Sequence, residues 1–177
     1  KNFIQKTKRI RIIMKLILKI LLCISLTSCG IYSFTGASIP KEAKSISVDY
    51  FNNKAATVQP SLSQVFTERL KDIFLEQTNL ILSENEADLN FKGYISKYQI
   101  KPIAIKANET AGQNRLTIAV KVIYVNSLDP KNNFEHTFNR FRDYDGTQNI
   151  SDIENTLIEE ISNELVEDIF NKAFVNW

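Results

Sequence analysis

The chain has 177 residues, of which 44% are hydrophobic and 24% are charged, and its formal net charge at pH 7 is +2. A chain of this size suits one domain with a real hydrophobic core. Two cysteines and one histidine are too few for a disulfide framework or a structural zinc site.

The first predicted element is a secretory signal that begins at Met14. Lys15 and Lys19 accompany an apolar run that ends in small residues, and this order is typical of signal peptides. The run is too short to remain in a bilayer core of about 30 Å as a spanning helix. We expect translation to start at Met14, so that residues 1–13 lie upstream and take no part in the fold.

The stretch Leu26-Thr27-Ser28-Cys29-Gly30 has the form of a bacterial lipobox. It predicts cleavage after Ser28 and lipid attachment to the Cys29 thiol, which anchors a protein without a spanning helix. The alternative is a buried N-terminal helix with an ordinary core cysteine. It is disfavoured because the first 28 residues hold seven basic side chains and no acidic one.

Two features after the lipobox predict where the anchor lies. Gly30 stands where an inner-membrane retention signal often has Asp, and no acidic cluster of the kind that directs some lipoproteins to the cell surface follows Cys29. We therefore expect a lipid-anchored protein in the periplasmic leaflet of the outer membrane.

Removal of the signal changes the charge of the chain. Seven of the 22 Lys and Arg residues leave with it and all 20 acidic residues remain, so the mature chain carries 15 basic against 20 acidic side chains. A basic face for nucleic acid is therefore not supported. Cys23 also leaves, and no thiol besides Cys29 remains for a disulfide, a metal or a nucleophile.

Residues 29–44 are predicted to form a tether and residues 45–177 a single domain. The alternation of apolar residues predicts that the domain begins with a strand at 45–51. Its inward residues would be Ile46, Val48 and Tyr50.

The first helix is predicted to follow a polar loop. Ser61 as N-cap and Gln64 three residues later have the spacing of a capping box. The helix is amphipathic and ends near residues 77–79. Its apolar stripe consists of Leu62, Val65, Phe66, Leu70, Ile73 and Phe74.

The short apolar piece at 80–82 is a candidate for an extra strand. Alternating apolar residues after it predict three further strands. The strands cover residues 88–99, 115–126 and 134–141. Residues 128–133 have the composition of a turn, so the last two of these strands are expected to form an antiparallel pair.

The last helix is predicted to begin at a second capping box, with Ser151 as N-cap and Glu154 three residues later. The chain ends in apolar residues that we expect to be held against the core or a partner. One helix face carries the acidic residues Glu159, Glu160, Glu164, Glu167 and Asp168, which form either a solvated surface or a partner-binding surface.

The order β-α-β-β-β-α predicts an α+β fold. Two amphipathic helices have one sheet to cover, so we expect a two-layer sandwich with both helices on one face of a mostly antiparallel sheet. The other face of the sheet must then meet solvent or another protein.

Motifs for catalysis are absent from the sequence. His136 lies within a predicted strand and is expected to be a surface residue, and Asp143-Tyr144-Asp145-Gly146 matches a calcium loop too poorly to be more than a turn. There is no nucleophile elbow, zinc-binding helix motif or phosphate loop. We predict a binding or scaffolding protein without a metal or other cofactor, and not an enzyme.

A long segment at 101–114 separates two of the predicted strands. Its cations Lys101 and Lys106, together with Arg115, are candidate contacts for an anionic lipid or a partner, because long loops are often functional. The alternatives are a solubilising loop and a simple extension of the hairpin.

Four stretches of the chain, together with the lipobox and the order of elements, resemble the LptE family of lipopolysaccharide-assembly lipoproteins and especially its Bacteroidetes branch. They are residues 66–72, 77–80, 114–118 and 168–177. The resemblance covers nearly the whole mature chain, although none of these motifs is diagnostic alone.

The resemblance implies a plug and assembly factor for the LptD outer-membrane β-barrel that helps to pass lipopolysaccharide to the cell surface. No lipopolysaccharide-binding motif of the family matches here, so the resemblance assigns only Cys29, and Lys101, Lys106 and Arg115 stay candidates from the residues alone. The alternatives are an accessory lipoprotein of an efflux or polysaccharide-export system and a periplasmic hydrolase that uses carboxylates.

Overall fold

The computed structural model describes residues 39–103 and 112–175, and the elements below lie within these ranges. Cys29, most of the predicted tether, Lys106 and Trp177 lie outside the described residues. The elements in chain order are β1 (Ser45–Val48), β2 (Asn52–Asn53), α1 (Pro60–Gln77), β3 (Ile81–Leu82), β4 (Leu89–Ile103), β5 (Gln113–Asn126), a 3-10 turn (Pro130–Asn132), β6 (Phe134–Asp145) and α2 (Ile150–Phe174).

The strands form one mixed sheet in the order β3-β1-β4-β5-β6, and β2 also pairs with β4. The long strands β4, β5 and β6 are antiparallel to one another, whereas β1 and β2 lie parallel to β4. Both helices pack with the sheet around one apolar core. The predicted α+β sandwich with a mostly antiparallel sheet is confirmed. β2 was predicted as loop, and β3 corresponds to the short apolar piece at 80–82.

An aromatic cluster joins the two helices to the centre of the sheet. The ring centroids of Phe74 and Phe91 lie 4.5 Å apart, and those of Phe91 and Tyr124 lie 4.7 Å apart. Burial raises the pKa of the Tyr124 hydroxyl to about 12. Phe170 and Phe174 of α2 complete the cluster. The expectation that Phe174 is held against the core is confirmed, since it is fully buried.

The predicted inward face of the first strand is wrong at its end. β1 stops at Val48, Tyr50 is 52% exposed, and Phe51 is buried instead. Gly93 of β4 makes room for the Phe51 ring: a Cβ atom at Gly93 would lie 2.6 Å from Phe51 Cε1 and 2.1 Å from the Lys121 carbonyl oxygen. The bend after Val48 therefore depends on a residue more than forty positions away.

Both predicted N-caps are wrong by two positions. Gln59 caps α1, because its Oε1 accepts from the backbone N–H of Ser61 at 2.6 Å. Asn149 caps α2, because its Oδ1 accepts from the backbone N–H of Ser151 at 3.3 Å. Each serine is thus a donor to the cap and not the cap itself.

Glu154, predicted to complete the second capping box, has a tertiary role instead. Its carboxylate accepts a hydrogen bond from the buried Tyr98 hydroxyl of β4 and another, at 3.2 Å, from Gln59 Nε2. Burial and the bond to Glu154 raise the pKa of Tyr98. These bonds connect α2, β4 and the start of α1.

Candidate interaction surface on the open face of the sheet

No element within residues 39–103 and 112–175 covers the face of the sheet opposite the two helices. We call this surface the open face. Side chains alternate between the two faces along a strand, and residues directly opposite in an antiparallel pair share a face. The open face therefore consists, on the three long strands, of Asn90, Lys92, Tyr94, Ser96, Lys97, Gln99, Lys101, Ile103, Gln113, Arg115, Thr117, Ala119, Lys121, Ile123, Val125, Glu135, Thr137, Asn139, Phe141, Asp143 and Asp145.

A β-bulge at Ser96 decides which β4 residues belong to the open face. Ile95 lies opposite Val120, whereas Lys97 lies opposite Ala119, so Ser96 is the extra residue. In a regular strand Lys97 would share the covered face with Ile95. The bulge shifts the alternation by one position and turns Tyr98 to the core, where it is buried.

The cations of β5 on the open face are neutralised by acids of β6. Arg115 donates two hydrogen bonds to the Asp143 carboxylate, at 2.6 and 2.8 Å, and lowers the pKa of Asp143. The Arg115 guanidinium also lies 3.7 Å from the centroid of the Phe141 ring. Lys121 Nζ lies 2.5 Å from Glu135 Oε1. This half of the face is polar but locally balanced in charge.

The structure brings two of the three candidate cations together. Lys101 and Arg115 lie directly opposite each other on β4 and β5. Because Asp143 engages Arg115, only Lys101 of this pair has no acidic partner within 4 Å among the described residues. Lys106 lies outside the described residues. β4 continues to Ile103 and β5 begins at Gln113, so residues 101–103 and 113–114 at the two ends of this segment extend the hairpin.

Two further lysines on the open face were missed in the sequence. Lys92 and Lys97 are exposed on β4 and, like Lys101, make no ion pair within 4 Å among residues 39–103 and 112–175. We call Lys92, Lys97 and Lys101 the lysine row. These lysines share one face because of the bulge at Ser96. The bulge cannot be recognised from the alternation of residues 88–99 in the sequence. Nearby, Lys54 Nζ lies 4.6 Å from the centroid of the Tyr94 ring.

The edge strand β6 carries inward-pointing charges. Arg140 donates to both carboxylate oxygens of Asp168 at 2.7 and 2.6 Å, and Arg142 lies 2.9 Å from Glu160 and 2.5 Å from Glu164. Three of the five acids in the predicted acidic stripe of α2 thus pair within the chain. Inward charges on an edge strand disfavour pairing with a further strand.

The opposite edges of the sheet are also poor templates for another strand. β3 has only two residues. Beyond β2, no strand among residues 39–103 and 112–175 pairs with this edge of β4. The edge contains Pro102, which lacks an N–H group, and it carries lysines. A partner of this sheet is therefore better placed on the open face than along an edge.

The residues that were considered for catalysis or calcium binding, His136 and the stretch at 143–146, lie on β6 and at the turn that follows it. His136 is exposed on β6, as predicted, with its ring 4.7 Å from that of Phe138. The turn predicted at residues 143–146 is wrong for its first three residues, which are the end of β6 and pair with β5. The turn follows at Gly146 and Thr147, where the Asp145 carboxylate accepts hydrogen bonds from the backbone N–H and the hydroxyl of Thr147. Within the described ranges, no three His, Cys, Asp or Glu residues lie close enough to hold a metal ion.

The architecture defines the class of the protein as a two-layer α+β sandwich with one face of its sheet open. In the part of the chain that the structure describes, neither helix is long and apolar enough to cross a membrane. The family model "LptE: Lipopolysaccharide-assembly" matches residues 43–173, which is most of the chain and nearly all of the described domain. The chain belongs to the LptE lipopolysaccharide-assembly family, as the resemblance in its sequence indicated.

Solved structures from several bacteria match this chain. A hypothetical protein of Chlamydia trachomatis matches with a TM-score of 0.50 and 9% identity, over 76% of this chain and 100% of that one. A minor lipoprotein of Acinetobacter baumannii matches with a TM-score of 0.44 and 15% identity, over 73% and 91%. Rare lipoprotein B of Shewanella oneidensis matches with a TM-score of 0.43 and 13% identity, over 72% and 92%. No curated protein sequence is significantly similar to this chain.

Proposed function

We propose that this protein is the outer-membrane lipoprotein that partners an LptD-type β-barrel, acting as its plug and assembly factor during lipopolysaccharide transport to the cell surface. The observation that carries the proposal is the family match over residues 43–173. The protein acts by binding and not by catalysis. This role agrees with a mature chain of net negative charge, which suits a plug better than a broad basic surface for lipid.

The open face supports the plug role physically. The wall of a closed β-barrel has no free strand edges, so a plug inside it must be held by side chains and loops. The edges of this sheet disfavour pairing with a further strand, and one broad face of the sheet carries polar and charged residues. Such a face meets a polar lumen without burying unpaired backbone groups.

The proposal includes the anchor and the division of the chain. Residues 1–28 comprise the upstream extension and the signal peptide, Cys29 carries the lipid, residues 29–44 lead to the domain, and 45–177 form it. Where this lead-in segment meets the domain, Asp88 accepts hydrogen bonds from the backbone N–H groups of Lys44 and Ser45 at 2.8 and 3.0 Å. The lipid lies in the periplasmic leaflet of the outer membrane.

The anchor is tested by exchanging each cysteine of the full chain separately. Cys29→Ala is expected to leave the domain folded and to move the protein from the detergent phase to the aqueous phase in a detergent-partition assay. Cys23→Ala is the matched control and is expected to partition like the wild type, because it alters only the signal. Retention of Cys29→Ala in the detergent phase contradicts lipid attachment at this residue.

The partner is tested by affinity purification of the full lipoprotein from detergent-solubilised outer membranes of its own host. We expect a stable one-to-one complex with a large β-barrel protein of the LptD type, and depletion of the lipoprotein should lower the amount of assembled barrel. Recovery with an efflux or polysaccharide-export complex, or with no barrel at all, contradicts the assignment.

A further inference from the structure

The lysine row has a geometry that the proposed function does not use. Lys92, Lys97 and Lys101 project from one strand to the same face, and four ladder positions separate each from the next because the bulge adds one residue. At a rise of about 3.3 Å per residue, neighbouring lysine Cα atoms are ~13 Å apart. The row is thus a series of positive charges at equal register intervals along β4.

This spacing does not suit one small anion. The lysines are farther apart than the Debye length of about 8 Å at physiological salt, so each acts on its own surroundings. A phosphate group is held by several donors that converge on it. An elongated partner with acidic side chains at intervals along its length matches the row better.

The charges on the rest of the open face restrict an acidic segment of the partner to the β4 side. On β5 and β6, Asp143 and Glu135 already neutralise Arg115 and Lys121. The lysine row is the part of this face where cations have no acidic partner within 4 Å among the described residues. Complementary charge would therefore orient a docking partner along β4.

We propose that the lysine row binds an extended acidic segment of a partner protein, which lies across the open face parallel to β4. This inference rests on the proposed function for the presence of a barrel partner, and it adds the part of the chain that the partner contacts and the chemistry of the contacting segment. The Ser96 bulge is essential to the site, because it places Lys97 and Lys101 beside Lys92 on the open face.

The contact is tested in the full lipoprotein, in its own host membrane, by photo-crosslinking. Gln99, which lies between Lys97 and Lys101 on the open face, is replaced by p-benzoylphenylalanine. The same replacement at Asn155, exposed on α2, is the control. We expect Gln99 to crosslink to a partner segment in which acidic residues recur, and Asn155 to give no such product. Crosslinks only to lipid, only to a second copy of this chain, or at the level of the control overturn the proposal.

Charge reversal provides a second measurement with a matched control. The triple variant Lys92→Glu, Lys97→Glu and Lys101→Glu is expected to lower recovery of the barrel about tenfold. The control changes the exposed cations Lys41, Arg69 and Lys131 to Glu and is expected to stay within about twofold of wild type. Circular dichroism verifies that both variants fold.

The two proposals fail in different ways. If the wild type recovers no barrel, the proposed function fails, whatever Gln99 contacts. If the wild type recovers the barrel and the triple variant recovers as much as its control, the proposed function stands and the role of the lysine row is refuted.

Discussion

The covered and open faces of the sheet are built from the same strands but differ in their chemistry. On the covered face, Phe91 is fully buried among the aromatic rings of both helices. On the open face, Phe141 is 45% exposed and lies under the Arg115 guanidinium. The covered face holds the fold together through burial. The open face is polar, with ion pairs between β5 and β6 and with lysines on β4 that make no ion pair within 4 Å among the described residues. Substitutions on the first should change stability, whereas substitutions on the second should change binding.

The largest expected effect comes from matched phenylalanine substitutions on the two faces. Phe91→Ala should lower the free energy of unfolding by about 3–5 kcal/mol, because it removes a fully buried ring and leaves a cavity. Phe141→Ala should change it by about 0.5 kcal/mol, as a surface substitution does. Urea denaturation measures both. Equal losses would show that the open face is part of a core.

A smaller loss is expected at the hydrogen bond beneath the bulge. Tyr98→Phe removes the hydroxyl that donates to Glu154 and should lower the free energy of unfolding by about 1.5–3 kcal/mol, since the acceptor is a carboxylate. Tyr94→Phe, on the open face of the same strand, should stay within about 0.5 kcal/mol. If the two variants are equally stable in thermal and urea denaturation, the Tyr98–Glu154 bond does not contribute to stability.

The cap of α2 should have an effect of intermediate size. Asn149→Ala removes the side chain that accepts from the Ser151 N–H and should cost about 1 kcal/mol. Ser151→Ala should change stability by no more than about 0.5 kcal/mol, because Ser151 is not the cap. Chemical denaturation in the same buffer compares them, and the opposite order would restore Ser151 as the N-cap.

The smallest expected effect depends on pH. Arg142 lowers the pKa of Glu164 below its ordinary value of 4.5. Below pH 4.5 the unfolded chain binds more protons at this site than the folded chain, so stability falls as the pH drops through the lower, folded value. Glu164→Gln should cost about 0.5 kcal/mol at pH 7, since the pair is partly exposed, and should make the acid-induced loss shallower.

The control for this pH effect is Glu159→Gln on the same helix, a residue without an ion pair within 4 Å among the described residues. Denaturation curves at pH 7, 4.5 and 3 should show the same acid-induced loss for this control as for wild type. An equally steep loss in Glu164→Gln would rule out Glu164 as a source of it.

Local periodicity predicted the covered face well. The apolar stripe of α1 and the alternation of β5 place nearly all of their residues in the core, with Val65 half-buried. These patterns arise from burial along a single element, so they are visible in the sequence. The two-layer arrangement follows because each helix has one apolar face to cover.

The features that the sequence did not reveal depend on residues far apart in the chain. The outward turn of Tyr50 depends on Gly93, which leaves space for Phe51. The neutralisation of Arg115 depends on Asp143, 28 residues away. Lys92 and Lys97 share a face only because of the bulge at Ser96, and the register with β5 defines that bulge. The hydrophobic pattern within one helix or strand does not show these contacts between distant residues.

The measurement that tests the account most directly is thiol labelling in intact outer membranes. Single cysteines are introduced into the full, Cys29-lipidated chain at Gln99 and Asn139 on the open face and at Asn155 on α2. With the barrel partner present, the Gln99→Cys and Asn139→Cys thiols should react much more slowly than Asn155→Cys, and depletion of the partner should remove this difference. Equal labelling at all three positions, or protection of Asn155→Cys alone, would contradict the claim that the open face is the docking surface.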